Sequence, residues 1–136
     1  WISPEDALPI SKHFLRRVEE VRVNLNRTLF LSLKDFECHY AIYPPGTFYK
    51  PHLDQFKSGE SRKISMACYL NENWTSDQGG ELGIHLDGEV LKVEPLAGRL
   101  ALFRSDTILH EVMLSRAQRF SITGWLRDQP LDLPYL

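Results

Sequence analysis

Near residue 36 the hydrophobic period of this chain switches from helical to extended, and that switch limits its possible folds more than any other feature. Before it, Ile10, Phe14, Val18, Val21, Leu25 and Leu29 recur at steps of four, four, three, four and four. That spacing lays one apolar stripe down a helix, with Lys12, Arg16, Glu20 and Arg27 largely off it. Ser3-Pro4-Glu5-Asp6 offers a cap, a first-turn proline and acidic residues where the helix dipole favours them. Pro9 is expected to separate this short first helix from the longer one.

After the switch, Phe36, Cys38, Tyr40 and Ile42 alternate with Glu37, His39, Ala41 and Tyr43. A turn at Pro44-Pro45-Gly46 leads into an extended piece ending near Asp54. Residues 63–70, 81–86, 89–94, 99–103 and 119–126 read as further strands. Turn signals separate them at Lys57-Ser58-Gly59-Glu60, Gly79-Gly80, Asp87-Gly88 and 95–98. Asp87-Gly88 between alternating runs marks a hairpin. Six or seven short strands with no helices among them exclude a parallel α/β sheet. A double-sheet jelly roll or a small barrel remains, with the helices covering one outer face.

A length of 136 residues predicts one domain, with helical support over 1–30 and a β core over 36–126. The net charge of −2 argues against a general nucleic-acid binder, which needs excess Lys and Arg along phosphates. No apolar run approaches the ~18 residues that suggest a membrane span. Residues 1–6 lack the basic region and apolar stretch of a signal peptide. Cys38 and Cys68 sit in apolar, strand-like runs, where free buried thiols are expected rather than a disulfide. The expected setting is therefore a reducing cytoplasm, with no nucleic-acid or membrane partner.

The chemistry concentrates in a few residues. His52-Leu53-Asp54 sets two ligand types at i and i+2, on one face of an extended segment. His110 is the natural third ligand. Two histidines and a carboxylate on one side of an ion leave three positions open, the arrangement of non-haem iron(II) oxygenases. Such a tripeptide alone arises by chance, and Arg119, nine residues beyond His110, adds the weight. Arg119, Ser121, Thr123 and Trp125 share one parity of the last strand, and Phe120, Ile122 and Leu126 the other. If the apolar set packs against the opposing layer, the first set lines the interior. A buried guanidinium there needs an anion, and a dicarboxylate matches its fork. Thr123 can donate to the same group. Residues 63–70 fit this, because Ser65, Ala67 and Tyr69 share a face that leaves room for a ligand and offers it a phenol. Other residues have plainer expectations: His13 solvated, His39 alternating outward, His85 at the surface, and Trp74 either packed on the rim or near substrate.

Six segments together carry a family resemblance: Tyr43-Pro44-Pro45-Gly46-Thr47-Phe48-Tyr49, His52-Leu53-Asp54, Cys68-Tyr69-Leu70-Asn71, Gly79-Gly80-Glu81-Leu82, His110-Glu111-Val112 and residues 119–125. In order and spacing they resemble the Fe(II)/2-oxoglutarate-dependent dioxygenases of the prolyl 4-hydroxylase superfamily. The oxygen-sensing branch and its bacterial relatives are the nearer match, since the collagen-modifying enzymes usually carry Lys where this chain has Arg119. The resemblance implies a mainly β fold, a double-stranded β-helix (jelly roll) with N-terminal helices packed on one sheet. It implies His52, Asp54 and His110 as iron ligands, and Arg119, Tyr69 and Thr123 as the binders of the distal carboxylate of 2-oxoglutarate. Tyr43 would touch the cosubstrate, and with Tyr49, Leu82 and Trp125 would line the pocket. The family places strands and a substrate-covering loop ahead of the segment resembling Trp1-Ile2, so residues 1–136 are expected to lack them.

The implied cofactors are Fe(II), 2-oxoglutarate and O2, with ascorbate as reductant. The implied reaction hydroxylates an unactivated C–H bond, on a proline in a protein or peptide, with release of succinate and CO2. Asp54 counts against a halogenase, which needs that coordination site for halide. Other readings of the same residues stay open. The substrate could be another side chain or a small metabolite. A His2Asp site could hold zinc for hydrolysis, although this leaves Arg119 and Tyr69 without a purpose. A jelly roll without catalysis could bind a peptide, although the ligands and the anion anchor are intact.

Overall fold

Pro9 opens the helix. Its fixed φ suits the first turn, and its missing N–H is one that a first turn leaves unpaired anyway. Helix α1 runs Pro9–Leu29 in the computed structural model, which describes residues 1–5, 7–55 and 61–129. The expected short helix at residues 3–6 does not form. Pro4 and Glu5 lie in a turn, with Asp6 outside the described residues. Ser3 Oγ donates to Glu5 at 2.6 Å, and Ile2 N–H donates to the Cys38 carbonyl at 2.9 Å. The stripe on α1 is also rotated from its expected position. Ser11, Leu15 and Val18 are buried, whereas Ile10 and Leu29 are exposed. The Ser11 hydroxyl, 2.7 Å from Tyr40 Oη, satisfies its polar atom in a position that hydrophobicity alone gives to Ile10. At the far end, the Asn26 side chain donates to the Leu33 carbonyl and accepts the Leu33 N–H, each at 2.7 Å, which fastens the chain as it leaves the helix.

Among the described residues eight strands follow: β1 (Asp35–Tyr43), β2 (Thr47–His52), β3 (Arg62–Tyr69), β4 (Leu82–Leu86), β5 (Glu89–Val93), β6 (Leu100–Arg104), β7 (His110–Ser115) and β8 (Arg119–Arg127). They form two antiparallel four-stranded sheets, ordered β1-β8-β3-β6 and β2-β7-β4-β5. This is the expected jelly roll. Asp87 and Gly88, both at positive φ (47° and 83°), make the tight turn of the β4–β5 hairpin. Strand β7 was not expected. His110, Val112 and Ser115 are its buried residues and Leu114 is exposed, so no clean alternation announces it. The Lys57-Ser58-Gly59-Glu60 turn lies outside the described residues.

Helix α1 covers the outer face of the first sheet. Leu15 and Val18 pack with Cys38, Ile64, Met66, Ile122 and Leu126, which lies at 0% exposure. Truncating such a residue to alanine costs roughly 2–5 kcal/mol. Cys38 and Cys68 are free thiols. Tyr40 and Ile42 are exposed although they share a face with buried Cys38, and the helix meets Tyr40 only at its rim, through the Ser11 hydroxyl. The expectation for His39 is corrected accordingly. His39, Ala41 and Tyr43 point between the sheets and line the cavity there. Among the described residues, no helix is long and apolar enough to cross a membrane.

Candidate metal centre and cosubstrate pocket

Antiparallel pairing of β2 with β7 sets His52 directly opposite His110 and brings their ring centroids to 4.3 Å. Irregular register along β2 lets the strand bend toward this pair. Asp54 follows two residues after the end of β2 and closes the triad. Its Oδ1 lies 3.3 Å from the Nε2 atoms of both His52 and His110. The three ligand atoms lie within 4.8 Å of one another, so they could hold one metal ion.

Each imidazole is oriented by the backbone. His52 Nδ1 donates to the Lys50 carbonyl at 2.8 Å, and His110 Nδ1 to the Ile108 carbonyl at 3.0 Å. A carbonyl can only accept, so each Nδ1 carries a proton and each Nε2 is the ring atom turned to the centre. The other carboxylate oxygen, Asp54 Oδ2, accepts from Ser65 Oγ at 2.6 Å and from Trp125 Nε1 at 2.9 Å. Burial alone pushes the Asp54 carboxyl up, but the polar groups of His110, Ser65 and Trp125 outweigh it and hold it well below the ordinary carboxylate range. Asp54 is an anion at any ordinary pH.

The triad opens onto a cavity of about 350 Å³ between the sheets. Arg119 stands in its wall at 3% exposure, six residues before Trp125 on β8. Its Nε donates to the Gly80 carbonyl at 2.8 Å, and its guanidinium carbon lies 5.0 and 5.1 Å from the ring centroids of Tyr69 and Tyr43. Gly80 has φ +70°, and a Cβ there would sit 3.1 Å from Arg119 Cδ, so glycine is what lets this loop approach the arginine. Burial lowers the Arg119 pKa, opposed by neighbouring Tyr69 and Tyr43. Among the described residues no carboxylate is paired with it. Tyr69 is fully buried, and among the described residues its O–H finds no acceptor. Burial raises the phenols of Tyr69 and Tyr43, so both remain donors at neutral pH. An uncompensated buried cation beside an unpaired buried O–H fits one kind of guest, an anion with acceptor oxygens. A dicarboxylate cosubstrate therefore suits the residues present.

The remaining expected residues fall around the same cavity. Thr123 lies on its wall with Oγ1 3.4 Å from Ser121 Oγ. Leu82 is buried opposite Val112, and Tyr49 lines the entrance with its ring 4.2 Å from His52. Trp125 is more than wall, since it holds Asp54 and lies under Arg62 at 3.7 Å from the guanidinium carbon. Trp74 packs under the arginine loop, donating to the Gly79 carbonyl at 3.0 Å. Sequence reasoning missed Ser65 and Ser105 as supports of Asp54, and Gly80 as a support of Arg119. The parity of β3 had already turned Ser65 inward, but only folding shows what its hydroxyl meets.

With this geometry in place, comparison with known proteins gives a consistent result. The family model described as the 2OG-Fe(II) oxygenase superfamily matches residues 38–127, which include the triad and Arg119. The chain belongs to that superfamily. A Pseudomonas putida prolyl-4-hydroxylase structure is 44% identical, with a TM-score of 0.91, over 95% of this chain and 72% of that one. A Trichoplax adhaerens prolyl hydroxylase, solved with a hypoxia inducible factor oxygen degradation domain peptide fragment, is 32% identical. It superposes with a TM-score of 0.87 over 94% of this chain and 61% of that one. Mouse prolyl hydroxylase EGLN3 is 42% identical over 93 residues, 65% of this chain and 38% of that protein. The chain thus spans well under half the length of this curated relative. The similarity to oxygen-sensing and bacterial prolyl hydroxylases is borne out.

Proposed function

We propose that residues 1–136 form a single catalytic domain of an Fe(II)- and 2-oxoglutarate-dependent dioxygenase. It hydroxylates a prolyl residue in a protein or peptide and releases succinate and CO2. The observation that carries this reading is Arg119, buried with no carboxylate partner among the described residues and beside a Tyr69 O–H that finds no acceptor among them, in the cavity onto which three metal-ligand atoms converge. A zinc hydrolase gives these two residues no task.

His52, Asp54 and His110 would hold the iron. When bound, iron and 2-oxoglutarate supply the oxidising chemistry, with O2 as oxidant and ascorbate as reductant. The chain binds, orients and shields. Arg119, Tyr69 and Thr123 receive the distal carboxylate, and Tyr43 flanks it. Tyr49, Leu82 and Trp125 shape the space above. A peptide substrate is supported by the half-exposed Tyr49 at the entrance and by the peptide complex of the Trichoplax relative. The free thiols are compatible with a reducing cytoplasm.

The test is uncoupled turnover. Protein with iron(II), ascorbate and 2-oxoglutarate releases succinate, and proline-containing peptides gain the mass of one oxygen. Activity supported by zinc alone, with a melting temperature indifferent to 2-oxoglutarate in the presence of manganese, would overturn the assignment.

A further inference from the structure

Asp54 is held by more than its place in the chain. Ser65, at 2% exposure, donates to Oδ2, and Ser105, at 0%, lies with Oγ 2.9 Å from Ser65 Oγ. Oδ2 is a carboxylate oxygen and can only accept, so the Ser65 proton is committed to it. The bond between the serines must then run from Ser105 O–H to the Ser65 oxygen. The proton order of the chain Ser105→Ser65→Asp54 is thereby fixed. Ser105 also ties down the backbone after the ligand: its carbonyl accepts the Gln55 N–H at 2.9 Å, and its N–H donates to the Lys63 carbonyl at 3.0 Å. From the other side, Trp125 Nε1 donates to the same Oδ2.

From this geometry we infer that Ser65 and Ser105 are positioning residues that hold Asp54 as a one-oxygen metal ligand, with Trp125 as the opposing clamp. The inference rests on the metal-centre reading above. Oδ2 is occupied by two donors and turned away, while Oδ1 faces both Nε2 atoms. A carboxylate free to rotate could offer both oxygens to the ion and close one of the positions that cosubstrate and O2 require. The hydroxyl relay prevents that, and Ser105 acts on the ligand through Ser65. Orienting groups of this kind typically carry 10–100-fold in metal affinity.

The test uses metal-free full chain and two probes without 2-oxoglutarate: Mn(II) titrated calorimetrically, and Co(II) read by its visible ligand-field spectrum. Ser65→Ala weakens Mn(II) binding about tenfold and changes the Co(II) spectrum as the carboxylate turns. Ser105→Ala gives a smaller loss in the same direction. The double variant matches Ser65→Ala alone, because removing Ser65 leaves Ser105 with nothing to act through. A general packing role for Ser105 would instead add its cost in the double variant. That additivity, or a Ser65→Ala protein with parental affinity and spectrum, overturns the proposal while leaving the metal centre intact. If Ser65→Ala does not fold, Ser105→Ala and Trp125→Phe decide, and parental Mn(II) affinity in both overturns it. A parent chain that binds neither metal refutes the metal-centre reading itself, and this proposal with it.

Discussion

The two ends of the cavity are built on opposite principles. Around the triad the polar atoms are matched: both Nδ1 atoms donate to carbonyls, and Asp54 Oδ2 accepts two bonds. Around Arg119 they are not. The guanidinium donates through Nε to the Gly80 carbonyl, and among the described residues the Tyr69 O–H finds no acceptor. A metal needs ligands placed in advance, because its bond lengths and angles tolerate little error. An organic anion can complete its own site, so the chain leaves that end unsatisfied and the guest supplies the missing acceptors. The difference teaches that an incomplete hydrogen-bond inventory can itself mark a ligand position.

Removing Asp54 should have the largest effect. Asp54→Ala is expected to abolish measurable Mn(II) binding in calorimetry and succinate release with it, and binding retained near the parental level would dissolve the first half of the contrast. Arg119→Ala comes next. Losing one partner of a buried charge pair costs about 2–5 kcal/mol, so apparent 2-oxoglutarate affinity falls roughly 30- to 5,000-fold. Mn(II) affinity stays at the parental level, and a parallel loss of metal would show that the two ends are not separable.

Tyr69→Phe sharpens the comparison further. It removes a hydrogen bond to a charged group, worth roughly 1.5–3 kcal/mol, and weakens 2-oxoglutarate by about 13- to 160-fold. In the ligand-free protein it also deletes an unsatisfied buried hydroxyl, so the melting temperature should hold or rise. A lower melting temperature would mean that the hydroxyl has a partner in the folded chain.

The smallest effect belongs to the outer face of the sheet, where burial pushes the Cys38 thiol up to about 11. Its ordinary value is near 8.5. The neutral thiol is thus favoured by folding, and that contribution is intact below the ordinary value and lost as pH rises toward the folded one. Urea midpoints of the parent should fall between those limits more steeply than those of Cys38→Ala. Iodoacetamide at neutral pH should modify Cys38 only after unfolding, and rapid native labelling would contradict its burial.

Much of this was legible before folding. The helix, the strand periods and the Asp87-Gly88 hairpin follow from local rules, and the parity of β8 separated Arg119 and Trp125 from Ile122 and Leu126 correctly. What failed locally failed for tertiary reasons. Tyr40 and Ile42 read as a core face, which turns His39 outward, yet both remain exposed in the folded chain and His39 lines the cavity. Strand β7 had no alternation to read because its inward positions serve the metal centre as well as the core. Ser11 takes the buried place beside Ile10, where the Tyr40 hydroxyl on β1 satisfies it.

By itself the sequence determined which residue types were available and on which face of each strand they would lie, since side chains alternate with a fixed period of two. It could name His52, Asp54, His110 and Arg119 as a set. Only the tertiary structure decided their meeting, through the β2–β7 register that sets His52 against His110. It also decided which support each would have: Ser65, Ser105 and Trp125 for Asp54, and Gly80 for Arg119. Those partners are up to 71 residues apart in sequence. Periodicity is a property of neighbours along the chain, whereas a hydrogen bond between distant strands exists only once register and layer packing have been set.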